Sequence, residues 1–283
     1  MLSRDVLLND IEWVIERLNR RGKDYAYLRK FPALDRTYQK IQTEIVKFKK
    51  MRTEMDKKIG YRHIESRSNR KIAEKNKRAL EQLNAYEKKA KAIEKLMDAM
   101  LKRTPNIPDP SVSVHQANKR AYVESSHGYD SIKFEKQFIE SLNDFSDEYY
   151  GQSLSMSSLQ DERFSHTSLP KTLLYHNDKT VGVVSITKKD EAETRYAEII
   201  TMLSNLLKQQ GITHTIEDVK ASSLHDAASM ETRLSFFNHS IRVINTDTYY
   251  ARRYNITHTS SQKKSYDYPS IIIVLPIKYL MSP

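Results

Sequence analysis

The chain has no cysteine. That removes disulfides, thiolate metal sites and thiol nucleophiles, and leaves redox compartment unreadable. Glycine is nearly as scarce, at 6 in 283 residues, where ordinary usage is about 7%. Phosphate-cradling loops depend on glycine for close backbone approach. None of G-x-G-x-x-G, G-x-x-x-x-G-K-[ST] or G-x-S-x-G occurs, which weighs against a nucleotide-using enzyme. No apolar run approaches the roughly 18–20 residues that span a bilayer, so no membrane insertion is expected. The opening MLSRDVLLNDIEWVIERL mixes acids with its arginines and lacks an apolar segment. It reads as neither a signal peptide nor an acid-poor transit peptide, and an imported protein would here be in its mature form. His176, His214, His225, His239 and His258 show no H-x₃-H or H-E-x-x-H spacing and read as surface or satisfied structural residues, so no metal or cofactor is expected. Asp226 and Glu231 are badly spaced for one helix face, so a carboxylate pair is not supported.

What is abundant is positive charge: 47 Lys and Arg against 36 Asp and Glu, a net +11 and a pI near 9.5. Such a surplus favours polyanionic partners, nucleic acid above all, although it also serves solubility alone.

Helical periodicity dominates the first third. Ser3 can cap a helix presenting Leu7, Ile11, Val14, Ile15 and Leu18, with Gly22 as its stop. After Pro32 a seam of three-and-four spacing runs through Leu34, Tyr38, Ile41, Ile45, Phe48, Met51, Met55 and Ile59. It lapses over Gly60 to Arg70 and resumes through Ile72, Ala79, Leu83, Tyr86, Ala90, Ile93, Met97 and Met100. Two such stripes around one break predict an antiparallel helical hairpin over 34–102 whose seams bury each other. Each arm would be roughly 50 Å long at ~1.5 Å per residue. Neither arm has a second apolar face, which predicts a hairpin that projects into solvent. Pro105, Pro108 and Pro110 end the second helix.

The distal hairpin carries Lys57, Lys58, Arg62, Arg67, Arg70, Lys71, Lys75, Lys77 and Arg78 against Asp56, Glu65 and Glu74. A solvated coiled-coil face explains most such runs. The sign bias, with cations on two adjacent helices able to track one phosphate backbone, points instead to RNA. Tyr61 and His63 near the tip could stack on bases.

Beyond residue 110 the texture changes. A weak helix around Phe134–Leu142, a strand at Thr180–Ile186 and an amphipathic helix carrying Tyr196, Ile199, Ile200, Leu203, Leu206 and Leu207 to Gly211 can be read. Strands follow at Thr213–Val219, Ser240–Ile244 and Ile271–Val274. The expected class is α+β: a helical arm domain over 1–110, then an α/β domain with an antiparallel sheet over 111–283. Arg252 and Arg253 are the best functional candidates in this half, unless they form a structural ion pair.

The order of parts resembles seryl-tRNA synthetase, a class II aminoacyl-tRNA synthetase. MLSRDVLLND, ERLNRRG, the long hairpin and the hinge TPNIPDPSV resemble that family's first domain and its passage into the catalytic domain. More loosely, residues 149–175, Thr246-Asp-Thr-Tyr-Tyr-Ala-Arg-Arg253 and IIIVLPIKYLMSP resemble its later segments. The resemblance implies a hairpin that grips serine tRNA and a dimeric catalytic domain. The departures count against catalysis. Where the family reads serine with Thr-Ala-Glu, this chain has Ser153-Leu154-Ser155. The Arg and Glu of motif 2 are missing from Leu174-Tyr175-His176-Asn177 through Lys179, and equally from Phe164-Ser165-His166-Thr167. Residues 259–270, TSSQKKSYDYPS, lack the glycines and arginine of motif 3, and no helix and strand of motif 1 can be located. Adenylate formation needs positive charge where phosphate charge develops, usually with Mg²⁺.

The sequence therefore predicts a non-catalytic paralogue similar to the arthropod mitochondrial seryl-tRNA-synthetase-like proteins. It would bind RNA, serine tRNA first, and pair with a synthetase subunit or itself, in the mitochondrial matrix or alternatively the cytoplasm. The competing readings are a protein-interaction scaffold and a minimal seryl-tRNA ligase.

Overall fold

The computed structural model describes residues 1–60, 67–122, 131–151, 154, 156–177, 180–237, 239–259 and 266–278. The chain divides into two compact units. One comprises Arg4–Glu12 with Ala26–Arg103; the other comprises Met1–Ser3, Trp13–Tyr25 and Thr104–Pro283.

The helical unit is built on α3 (Phe31–Gly60) and α4 (Arg67–Arg103). At 1.5 Å per residue these are about 45 and 55 Å long. Their seams bury Ile45, Leu83 and Ala90, flanked by Tyr38, Ile41, Phe48 and Tyr86. Phe48 stacks on Tyr86 at 5.6 Å, and Lys49 bridges to Glu87 at 3.0 Å. These contacts set the antiparallel register. The first helix expected from the sequence is two: α1 (Arg4–Asn9) and α2 (Ile11–Asn19), interrupted at Asp10. Arg4 pairs with Asp35 and lies over the Tyr38 ring, tying α1 to the base of α3.

The other unit centres on an eight-stranded sheet in the order β1-β6-β7-β8-β11-β5-β4-β2. The strands are β1 (Asn118–Tyr122), β2 (Glu148–Gly151), β4 (Lys171–Asn177), β5 (Thr180–Thr187), β6 (His214–Asp218), β7 (Met230–Phe236), β8 (His239–Asn245) and β11 (Ser270–Lys278). All neighbours are antiparallel except β2 with β4. A small second sheet joins β3 (Arg163–Phe164), β9 (Thr257–Thr259) and β10 (Tyr266–Asp267).

One face of the large sheet packs against α5 (Ser131–Phe145) and α6 (Ala192–Gln209). Tyr196, Ile199, Leu203 and Leu207 recur every three or four residues along α6 and meet Val183, Leu234, Val243 and Ile272 in one core. The helix ends on Gly211 at φ +66°, where Ile212 N–H returns to Leu207 O and Gly211 N–H to Lys208 O. No atom lies within 4 Å of where its Cβ would be, so left-handed geometry alone requires glycine there. The opposite face carries a second apolar cluster with Leu173, Val184, Ile186, Ile271 and Ile273, covered in part by α7 (Tyr249–Tyr254).

Candidate nucleic-acid interface

Residues 31–103 hold 21 Lys and Arg against 10 Asp and Glu, an excess that equals the net +11 of the whole protein. The remaining residues balance at 26 and 26. The electrostatic footprint is therefore confined to the helical unit.

Among the predicted contacts, Lys57 on α3 and Lys71, Lys75, Lys77 and Arg78 on α4 are exposed. Lys71, Lys75 and Arg78 stand at i, i+4 and i+7 and share one side of α4, while Lys77, two residues from Lys75, falls on the other. Arg78 bridges to Glu74 at 2.6 Å. Lys57, Lys71, Lys75 and Lys77 have no ion-pair partner among the described residues. Fully hydrated cations whose charge is not spent internally suit a phosphate backbone, since binding releases its counterions without breaking protein contacts. The side chains of Lys58, Arg67 and Arg70, and all of Tyr61, Arg62 and His63, lie outside the described residues.

The hairpin's grip on itself changes character toward its distal end. Buried apolar pairs give way to a polar bridge in which the Asn76 amide donates to Asp56 at 2.6 Å and accepts from Arg52 Nε at 3.3 Å. A polar side chain at a seam position costs stability but fixes register, which keeps the cationic flanks of the two helices in a constant relation.

Strands β4 and β5 pair up to Asn177 and Thr180, so only residues 178 and 179 connect them, with no room for a long charged loop. On the face away from α6, the Tyr175 ring lies on Gly182, where a Cβ would stand 2.2 Å from it. Burial raises the Tyr175 pKa. Like Tyr175, the side chains of Leu154, Met156, Phe164, Tyr250, Tyr254 and Tyr268 pack against the apolar cluster of this face. Ser153 and Ser155 lie outside the described residues, as do residues 260–265. Arg252 and Arg253 sit on α7. Arg252 lies over the Tyr268 ring at 4.6 Å and Arg253 over the Tyr254 ring at 6.0 Å.

His214 is buried against α6. Its Nδ1 lies 3.0 Å from the Ile212 carbonyl, which can only accept, so Nε2 is left to accept from the Ser204 hydroxyl at 2.8 Å. His225 and Glu231, unremarkable in sequence, belong to a polar cluster under the loop 219–229. The Glu231 carboxylate accepts Arg242 Nε at 2.7 Å and the His225 N–H at 2.9 Å. Burial, then the nearby Arg242, lowers the His225 pKa. Arg21, on the segment Trp13–Tyr25, donates to the carbonyls of Asn106, Leu224, His225 and Ala228. The signal for Glu231 in the sequence is the alternation in Met230-Glu-Thr-Arg-Leu-Ser-Phe236, a strand pattern. No cluster of three potential metal ligands stands among the described residues.

Residues 1–108 match the seryl-tRNA synthetase N-terminal domain family. No curated protein matches the chain in sequence. Among solved structures, the seryl-tRNA synthetase of Pyrococcus horikoshii, complexed with ATP, superposes with a TM-score of 0.76 at 13% identity, covering 97% of this chain and 91% of that one. The cytoplasmic serine-tRNA ligase of Naegleria fowleri, in complex with AMP, gives 0.78 at 12% identity, covering 99% and 91%. The fold is that of seryl-tRNA synthetases, a helical arm plus a class II α/β domain, as the sequence predicted.

Proposed function

We propose that this chain is a non-catalytic, seryl-tRNA-synthetase-like protein that binds RNA, serine tRNA in the first instance, through its helical hairpin. The observation that carries this reading is the concentration of the entire net charge in residues 31–103, where Lys57, Lys71, Lys75 and Lys77 are exposed and form no ion pair among the described residues. In the resembling family the hairpin grips tRNA for a catalytic domain, so a chain that keeps the grip would serve a catalytic partner subunit or a second copy of itself. The helix–strand pair α5–β2 at the sheet edge is the part suited to such pairing, because an edge strand leaves backbone groups open. The mitochondrial matrix is the proposed compartment, by analogy with the organellar paralogues that the sequence resembles.

Loss of catalysis is supported by two observations. The β4–β5 connection is too short for a charged loop. The Tyr175 ring occupies the surface over Gly182. Serine-dependent pyrophosphate exchange tests this: exchange no faster than buffer agrees, and robust exchange would establish a minimal ligase.

A protein-interaction scaffold is the second reading, favoured by Val46 and Leu96 on the helical unit, each about half exposed. Capture of a serine-tRNA transcript by the full chain, measured by fluorescence anisotropy at low and moderate salt, separates the two. Binding that weakens steeply with salt supports the RNA reading; absence of binding supports the scaffold.

A further inference from the structure

We propose that Arg233 and Arg242 form a receptor for a phosphoryl group on the sheet face opposite α6, independent of the hairpin. In β7, Leu234 and Phe236 face α6, and in β8 so do Ile241 and Val243; period two therefore sends Arg233 and Arg242 to the other face. They are direct register partners. Like charges directly opposed across two strands destabilise a sheet, and such a pair calls for compensating negative charge.

The protein supplies only part of it. The Glu231 side chain, fully buried, brings one oxygen to 2.7 Å from Arg242 Nε and to 3.9 Å from Arg233 Nη2. The second distance is beyond hydrogen bonding. The other Glu231 oxygen is already taken by the His225 N–H at 2.9 Å. Glu217, the register partner of Arg233 on β6, forms no ion pair with it, and on the far side Arg242 pairs with the apolar Leu275. Two guanidinium groups thus converge on one carboxylate and leave a net positive charge. Their side chains are 37% and 31% exposed, so a ligand can reach them.

The donor geometry selects the ligand. A guanidinium presents a planar fork that matches an oxyanion, and the two together hold more free N–H groups than a carboxylate's two oxygens can take. A phosphoryl group, with three oxygens and up to two negative charges, fits both forks and supplies the missing charge. It could come from a small free phosphate or from an RNA backbone.

The test is isothermal titration of the full chain with two probes, inorganic pyrophosphate and a single-stranded RNA trinucleotide, at constant ionic strength. Arg233→Gln is the principal variant, because that guanidinium holds no hydrogen bond to Glu231. Arg242→Lys keeps a cation beside the buried carboxylate while losing the fork. A triple variant, Lys71→Gln with Lys75→Gln and Lys77→Gln, controls for the hairpin. The expected result is that Arg233→Gln and Arg242→Lys each weaken one probe at least tenfold, whereas the hairpin variant, whose lysines belong to the proposed RNA site, leaves pyrophosphate binding unchanged. Sensitivity confined to pyrophosphate assigns a small phosphate, and sensitivity confined to the trinucleotide assigns an RNA backbone. The proposal is overturned if neither probe binds at millimolar concentration. It is equally overturned if Arg233→Gln, shown folded by circular dichroism, binds both as the unaltered chain does.

Discussion

Tyr175 and Gly182 are register partners on β4 and β5, and the tyrosine ring lies so close to the glycine that an added Cβ would stand 2.2 Å from it. The ring can occupy the sheet surface only because position 182 has no side chain. Gly182→Ala should therefore displace the ring and cost about 1–3 kcal/mol, the usual range for overpacking a filled core. Urea unfolding measures this. The second change Tyr175→Val should recover part of the loss in Gly182→Ala, because it removes the clash; a Gly182→Ala variant as stable as the parent would show that the ring moves freely.

Arg21 supports the sheet unit from a distant part of the chain. Its guanidinium, only 6% exposed, donates to four backbone carbonyls at 2.6–3.3 Å. Arg21→Met would leave those acceptors unpaired, with an expected cost of about 3 kcal/mol or more, since each buried unsatisfied polar group costs ~1–3. Arg21→Lys should rescue little, because one ammonium cannot reach four diverging carbonyls. Chemical denaturation of both variants checks the prediction.

His225 makes stability pH-dependent in a defined direction. Burial lowers its pKa in the folded state, and its Nδ1 accepts the Ala227 N–H at 3.2 Å, which only the neutral ring can do. The unfolded chain therefore binds more protons as pH falls below the ordinary histidine value near 6.5. Stability contributed by this group is full above that value and declines as pH drops through it. His225→Asn, which keeps an acceptor but does not titrate, should flatten the fall in melting temperature between pH 7.5 and 5.5. An identical slope in both proteins would contradict it.

Much of the fold was legible because its signals are local. Three-and-four spacing from Tyr38 to Met100 gave the hairpin, and the run Thr180–Ile186, buried on both faces over 181–186, gave β5. The helix ending at Gly211 came with a glycine stop. What stayed hidden depends on tertiary partners. Strand β7 was missed because Glu231 and Arg233 make it look like surface, whereas Glu231 is buried and accepts a hydrogen bond from Arg242 across the sheet. Strand β4, with Thr172 and Leu173 on opposite faces and both buried, has no alternation to read. The split between α1 and α2 follows from one residue, Asp10, whose effect periodicity over eleven or more residues averages away. At the candidate interface, the charge excess was readable from composition. The absence of ion pairs at Lys57, Lys71, Lys75 and Lys77 needed side-chain positions.

The most direct test of the central claim is the affinity of the full chain for a serine-tRNA transcript as a function of salt. The account predicts a steep linear fall of log affinity with log salt. Five to eight phosphate contacts would lose about 10²–10⁴ in affinity between 50 and 200 mM. It predicts also that replacing Lys71, Lys75 and Lys77 with Gln lowers the slope by about 2–3. A flat salt response, no detectable binding, or a triple variant with the parent's slope would contradict it.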